Sequence, residues 1–496
     1  MLEYAECLRA APENEAPRGY SSRITLLDAL RVVLAVLLIP ELPRLLWHTR
    51  THLPWQMRGM INSEYLVLLA LAWLFPSWRM IALLVGELVI VGLEPVAALY
   101  NVPLPDTLRV IGNLTLLPAG RLALYGSLLI LYGATCALLL RLSVGLRRRP
   151  FARPLAATLL ILAILPLLAD IAEGRFYEIH LSGHPSDLDR LLPYQASAMP
   201  VFQLAKDVVL ANGSRNTGAP SPHPLPSTLS HAIDELPAGS SPDIVLVLTE
   251  SWGLADDDRV NQAEYRPYLS PAITEHYHVE IGSTQFQGGT IAGEFRELCG
   301  QARGFDVLAE PADHLQTCWP AKLARAGYST VAVHGFTSLM FNRQNWYSRF
   351  GFQNKVFLED LSRKRLARCD GAFNGICDAS VAGWIGDRLL AARGPGPTYV
   401  HWVTLNTHLP IAPLAGSASR QECAAADIDG ETSLCSWFDK TLIVHHSVAG
   451  LATRPGLRPT VFVIVGDHAP PFMNADFRSR FSSTDVPYII LMPKSL

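Results

Sequence analysis

Charged residues make up only 17% of this 496-residue chain, the formal net charge is -3, and no basic face stands out along it. A nucleic-acid role therefore has nothing to rest on, because phosphate backbones are met by clustered lysine and arginine. None of the eight cysteines falls in a CxxC pair, which argues against a zinc cluster. No internal repeat is evident. The residues before Ile24 are mostly polar and no small-residue cleavage site follows the first apolar run, so a cleavable signal peptide is not expected.

What the chain has in excess is apolar character. Hydrophobic residues reach 49% and the mean hydropathy is +0.21, too apolar for a wholly soluble protein and too long for one ordinary domain. The excess sits almost entirely before residue 175. Runs at Ile24–Trp47, Tyr65–Phe75, Met80–Leu99, Leu122–Leu142 and Pro154–Ala169 read as about five membrane spans, although crossing takes roughly 20 residues. The second run is short, and the first carries Asp28, Arg31, Glu41 and Arg44. Arg141, Arg147, Arg148, Arg149 and Arg153, between the fourth and fifth runs, should stay cytoplasmic under the positive-inside rule. The fifth span then exits, and everything after it is extracytoplasmic. The expected organisation is a polytopic α-helical membrane domain at 1–175, interfacial helices and a linker at 176–240, and an extracytoplasmic catalytic domain at 241–496.

Cysteine usage agrees. Cys299, Cys318, Cys369, Cys377, Cys423 and Cys435 form three sequence-local couples, as an oxidising compartment would produce. We pair 299 with 318, 369 with 377 and 423 with 435, while other connectivities and free buried thiols stay open. Phe176 to Asn212 reads as interfacial helices, and the Pro-, Ser- and Gly-rich stretch Gly213 to Ser241 as extended linker.

From Asp243 onward, short β-branched strands alternate with helical stretches. Ile244–Leu248, Ser329–Val333, Thr398–Leu405, Thr460–Val465 and Val486–Met492 read as strands, and helices start near Thr290, Pro320 and Ala379. This is the pattern of an α/β/α sandwich. Two strands end in metal-binding side chains: Asp243-Ile-Val-Leu-Val-Leu-Thr-Glu250, and Val461-Phe-Val-Ile-Val-Gly-Asp467-His468. Open α/β sheets place ligand sites at those strand ends. Between them, Gly288-Gly-Thr290 opens a helix and supplies a hydroxyl that the helix N-terminus favours for phosphoryl chemistry. Alone, the glutamate would be a solvated loop residue and the threonine an N-cap. In this order, Glu250, Asp467 and His468 form an oxygen–oxygen–nitrogen set suited to one divalent cation, zinc or manganese, which lowers the pKa of the threonine hydroxyl. Trp252 is expected to pack under the site, and Glu294 to hydrogen-bond an amide or support its helix.

On these motifs the chain resembles the alkaline phosphatase superfamily, and within it the membrane-bound lipoteichoic acid synthase and phosphoethanolamine transferase branch. The resemblance implies a catalytic domain of alkaline phosphatase/sulfatase type, with Glu250, Thr290, Asp467 and His468 around the metal and Thr290 transiently phosphorylated. Val403-Thr-Leu-Asn-Thr-His408-Leu-Pro is similar to the family segment whose histidine lies beside the bound phosphoryl group. His334-Gly335 and Phe341-Asn342-Arg343 are similar to the stretch that grips phosphoglycerol, although Phe341 stands where tryptophan is frequent. Arg343 can offer two donors to a phosphate. His408 and His334 can donate to phosphoryl oxygens or shuttle a proton. The closest string to a sulfatase Cys/Ser-x-Pro-x-Arg motif, Cys318-Trp-Pro-Ala-Lys322, ends in lysine and lies past Thr290.

The resemblance thus implies transfer of phosphoglycerol from phosphatidylglycerol, a membrane phospholipid donor, to an envelope glycan or glycolipid acceptor. The enzyme would sit in a bacterial inner membrane with its catalytic domain in the periplasm. Phosphoethanolamine transfer is the alternative, and a silent lipid- or glycan-binding membrane protein is the reading of a different class.

Overall fold

A computed structural model describes residues 26–33, 63–75, 77–100, 115, 119–146, 151–172, 225–301, 315–392, 394, 396–409, 411, 418–428, 432–472 and 475–496. The interfacial stretch Phe176 to Asn212, Cys7 and Arg147 to Arg149 lie outside these residues.

Five helices coincide with the five apolar runs: α1 Leu26–Val33, α2 Ser63–Leu74, α3 Trp78–Tyr100, α4 Ala119–Leu146 and α5 Ala152–Ala172. Leu66, Leu69 and Trp73 of α2 pack with Leu84 and Leu88 of α3, Tyr132 and Cys136 of α4, and Ala156 and Leu159 of α5. Among the described residues no helix is long and apolar enough to cross a membrane, so the five expected spans are not shown there. The outward faces are nonetheless apolar. Among the described residues, all the exposed large hydrophobics but Leu269, Leu339 and Ile443 lie between Leu26 and Leu168.

The remainder is built on a seven-stranded sheet: β1 Asp243–Thr249, β2 Tyr277–Gln285, β3 Ser329–His334, β4 Asn354–Val356, β5 Thr398–Val403, β6 Thr460–Gly466 and β7 Asp485–Pro493. In space the order is β2-β7-β6-β1-β5-β3-β4. The run from β6 through β1, β5 and β3 to β4 is parallel, and β7 and β2 add antiparallel strands at one edge. Every residue of β1, β5 and β6 is buried. Helices on both faces account for that, and for the near-continuous Val/Ile/Leu composition that made these strands legible. The two cores lie on either side: Leu246, Leu248, Val463 and Val465 face one, and Val245, Val247, Phe462 and Ile464 the other. All five expected strands are present, and β2 and β4 are additions.

The stretch expected to be linker contains helix α6, Thr228–Asp234. Ser227 caps it by accepting from the Ser230 amide at 3.0 Å, and Leu229 and Ala232 enter the core. One buried turn is enough to anchor a Pro- and Ser-rich stretch that offers little else to bury. The three disulfides form as paired: Cys299–Cys318, Cys369–Cys377 and Cys423–Cys435. They indicate an extracytoplasmic, oxidising location.

Candidate active site

Strand register assembles the site. In the parallel pair β1/β6, Thr249 stands opposite Gly466, so the next residues, Glu250 and Asp467, emerge side by side. On the other flank Leu248 stands opposite Val403. This brings the turn 404–408 alongside: Thr404 Oγ1 accepts from the Glu250 amide at 2.9 Å, and the Thr407 hydroxyl donates to the Glu250 carbonyl. One strand further out, His334 stands opposite Val403. Four neighbouring strand ends therefore carry Asp467, Glu250, His408 and His334 along one edge of the sheet, where open α/β sheets hold ligands.

The nucleophile candidate arrives on α7, Thr290–Cys299. Gly288 adopts a φ of 69°, a left-handed turn that glycine enters at little cost, and Gly289 then leads into the helix. Gly293 lets α7 pass directly over β6: a Cβ there would lie 2.9 Å from the Asp467 Cα. Arg296, buried on the same helix, completes the staple. Its Nη2 donates to the Gly466 carbonyl at 2.6 Å and its Nε to Glu297 at 2.7 Å. Glu297 in turn accepts from the Leu229 amide of α6 at 3.0 Å.

The outcome is a buried cluster. Ligand atoms of Glu250, Asp467 and His468 all lie within 4.8 Å of one another, and the Thr290 hydroxyl donates to Glu250 Oε2 at 2.9 Å. His468 Nδ1 points at the Ala469 carbonyl, 2.8 Å away. A carbonyl only accepts, so Nδ1 carries a hydrogen and Nε2 is the atom that faces the carboxylates, 3.5 Å from Glu250 and 3.4 Å from Asp467. That is the orientation a metal-ligating imidazole needs. Asp467 Oδ1 accepts from the Ser251 and His468 amides at 2.7 Å each. Its Oδ2 is buried with no hydrogen-bond donor. Burial and then the Glu250 charge push the Asp467 carboxyl up to about 8. Burial also opposes ionisation of Glu250, but His408, His468 and Ser251 outweigh it and hold that carboxyl well below the carboxylate range. For His468 burial disfavours the charge, yet Asp467 and Glu250 bring the ring up to about 9. Two crowded carboxylates, one with a bare oxygen, and an inward-facing imidazole fit one divalent cation.

A second constellation adjoins it. Arg343 opens α8, Arg343–Arg349, and is buried because the two residues before it, Phe341 and Asn342, turn left-handed at φ of 54° and 56°. Such conformations cost non-glycine residues about 1–3 kcal/mol each, and here they aim the guanidinium inward, 5.1 Å over the Phe341 ring. Arg343 Nη1 and His334 Nε2 are buried without hydrogen-bond partners. The Nδ1 atoms of His334 and His408 face the carbonyls of Val403 at 3.0 Å and Leu409 at 2.6 Å. Their neutral rings thus carry the lone pair on Nε2, so they accept a proton there instead of donating one. Burial keeps both rings neutral: His334 falls to about 3, helped by Arg343, and His408 is lowered although Glu250 opposes it.

The structure brings Glu250, Thr290, Asp467 and His468 together and ranges Arg343, Phe341, His334 and His408 beside them. Asn342 is the exception. It is exposed on the turn, its carboxamide engaged by Asn345. Trp252 packs beneath the site, fully buried, with Nε1 donating to the equally buried Glu264 at 2.9 Å.

Sequence reasoning overlooked several residues. Ser251, left-handed at φ 54°, links both carboxylates, donating from its hydroxyl to Glu250 at 2.9 Å and from its amide to Asp467. Asp378 receives the Leu405 and Asn406 amides at 3.0 and 2.7 Å and so fixes the turn that carries His408. Only the turn chemistry of Thr404 and Thr407 left a trace in the sequence. Burial of Asp378, Glu294 and Arg296 is tertiary.

The protein family described as Sulfatase matches residues 242–496, and no curated protein matches the chain. Among solved structures the chain is similar to a lipoteichoic acid synthase from Listeria monocytogenes, at 12% identity and a TM-score of 0.35 over 51% of this chain and 66% of that one. It is similar to a phosphoglycerol transferase from Streptococcus pyogenes in complex with sn-glycerol-1-phosphate, at 17% and 0.34 over 53% and 71%. A third is the C-terminal periplasmic domain of an Escherichia coli protein in complex with Zn, at 16% and 0.30 over 52% and 74%. The chain spans just under two thirds of the first of these.

Proposed function

The chain belongs to the sulfatase family, whose match takes in its alkaline-phosphatase-like α/β domain, and from that premise we propose that it is a metal-dependent phosphotransferase. It moves a phosphoglycerol group from phosphatidylglycerol to an envelope glycan or glycolipid through a phosphodiester on Thr290. The observation that carries this reading is the Thr290 hydroxyl, 2.9 Å from Glu250 Oε2 at the rim of the buried Glu250, Asp467 and His468 cluster. Sulfate-ester chemistry by a matured cysteine has no counterpart in this position, and Cys318 is tied up with Cys299.

Glu250, Asp467 and His468 would hold the zinc or manganese ion. When bound, it lowers the pKa of a nearby hydroxyl and offsets negative charge at phosphorus. In the first half-reaction the Thr290 oxygen attacks the donor phosphorus and the bond to the diacylglycerol oxygen breaks. His408, with its lone pair on Nε2, takes up the proton of the attacking hydroxyl and returns it to the departing oxygen. An acceptor hydroxyl then attacks the Thr290 phosphodiester and frees the threonine. Arg343 lines the phosphate, and His334 beside it offers Nε2 only as an acceptor. The apolar outward faces of α3 to α5 support association with a bilayer, which raises the effective donor concentration at a tethered site. Phosphoethanolamine transfer is the second reading, favoured by the three disulfides.

The test is intact-mass analysis after incubation of the full chain with each phospholipid, with and without chelator. A phosphoglycerol adduct that requires metal and is lost in Thr290→Ala is expected. An ethanolamine-containing adduct would select the second reading, and undiminished turnover in Thr290→Ala would end the covalent scheme.

A further inference from the structure

We propose that Glu294 is a positioning residue that neutralises Arg343 and sets the site to prefer singly charged phosphodiesters over doubly charged monoesters; this rests on the phosphotransfer reading above. Glu294 lies four residues after Thr290, so both side chains leave the same face of α7. On most helices such a glutamate is solvated. Here it is fully buried. Its Oε1 accepts from Arg343 Nε at 3.0 Å and Nη2 at 2.7 Å. Its Oε2 accepts from the Tyr347 hydroxyl and lies 3.4 Å from His401 Nε2.

Both carboxylate oxygens are thereby occupied, and two of the three nitrogens of the guanidinium are spent on Glu294. What Arg343 still offers is the buried Nη1 edge, which has no partner. The plane of the group is fixed three ways: by the Glu294 fork, by the Phe341 ring, and by the left-handed turn at 341–342. Donors held rigidly in a buried site recognise phosphoryl oxygens at little reorganisation cost. Charge is a separate matter. An unpaired arginine would bring a full positive charge and favour whichever phosphate carries more negative charge. Paired with Glu294, Arg343 brings an aimed donor and almost no net field. A diester carries one negative charge and a monoester two above pH ~6, so neutralising Arg343 removes the advantage that the monoester would otherwise have.

Glu294→Gln keeps the shape and the amide oxygen as acceptor while deleting the charge. Turnover of bis(p-nitrophenyl) phosphate and p-nitrophenyl phosphate by the full chain would be compared, with inorganic phosphate affinity measured by calorimetry. At an effective dielectric of about 20, one uncompensated charge some 6 Å away is worth about a ten- to hundredfold shift. The diester-to-monoester ratio should fall by that factor, with inorganic phosphate bound correspondingly tighter. Equal loss of both activities with unchanged phosphate affinity overturns the inference. If Glu294→Gln does not fold, Tyr347→Phe serves. It leaves the charge in place and frees one oxygen, so kcat should fall severalfold with the diester preference unchanged; an unchanged kcat overturns the positioning role. A wild-type enzyme inactive on the diester in the presence of metal would instead count against the phosphotransfer reading itself.

Discussion

Gly293→Ala tests whether the site depends on the close crossing of α7 over the end of β6. The new methyl group would start 2.9 Å from both Cα and Cβ of Asp467 and 3.1 Å from its carbonyl oxygen. Asp467 cannot easily step aside. Its amide donates to the Thr249 carbonyl at 3.1 Å, and its carbonyl accepts from Arg296 Nη1 at 3.3 Å. Relief therefore takes a displacement of α7 by about 0.5 Å, from 2.9 Å to the 3.4 Å of ordinary contact. Overpacking of this kind costs about 1–3 kcal/mol, and replacing glycine by alanine inside a helix returns about 1 kcal/mol. The net loss of stability is then about 0–2 kcal/mol. The effect on chemistry should be larger in proportion, because Thr290 rides on the same helix. A 1 Å misplacement can cost about a hundredfold, and half that displacement about tenfold. Urea denaturation gives the stability, elemental analysis the bound metal, and single-turnover mass analysis the rate of adduct formation. Gly383→Ala is the control: no atom lies within 4 Å of its Cβ position, so it should gain up to about 1 kcal/mol and leave the adduct rate alone. A Gly293→Ala protein with wild-type adduct rate and metal content would refute the claim that this helix crossing sets the Thr290–Asp467 geometry.

Two further predictions concern the scaffold. Arg296→Leu leaves the buried Glu297 without its counter-charge, which should lower stability by about 3–5 kcal/mol; the double replacement Arg296→Leu/Glu297→Leu should recover much of that in urea midpoints. Burial pushes Asp378 up to about 7 even though the amides of Leu405 and Asn406 pull it down. The folded state therefore binds its proton more tightly than the unfolded chain, so this group's contribution is full below pH ~4 and is lost as pH rises through about 7. In Asp378→Asn that part of the stability–pH profile should flatten, and an unchanged slope between these limits would contradict the assignment.

The strands that carry the chemistry were legible for a physical reason. β1, β5 and β6 are parallel and covered on both faces, so each must be an almost unbroken apolar run, and a carboxylate at the end of such a run stands out. β2 was not legible. As an edge strand it has no regular alternation, running through buried, half-buried and exposed residues without a period of two, and Tyr277 to Gln285 carries glutamate, glycine, serine and glutamine. β4 is three residues long, too short for any period to register. Helix α6 was hidden by its Pro- and Ser-rich surroundings, because its anchor is the Glu297 carboxylate seventy residues away in the chain.

The same division runs through the site. Glu250, Thr290, Asp467 and His468 announce themselves by position, at strand ends and after a glycine pair, since local geometry determines where such groups point. Glu294, Asp378 and Arg296 have no local signature. Each is a charge inside a helix or at its start, where solvent exposure is the ordinary expectation, and each is buried only because a partner arrives from elsewhere: Arg343 and Tyr347 for Glu294, the 405–406 amides for Asp378, the β6 carbonyls for Arg296. Burying a charge is tolerable only when it is paired or multiply hydrogen-bonded. Three such residues around one strand edge therefore make the site rigid on every side but the one that Arg343 Nη1, His334 Nε2 and Asp467 Oδ2 leave bare. On the phosphotransfer reading, that rigidity holds the Thr290 hydroxyl, the cation and the phosphodiester in register.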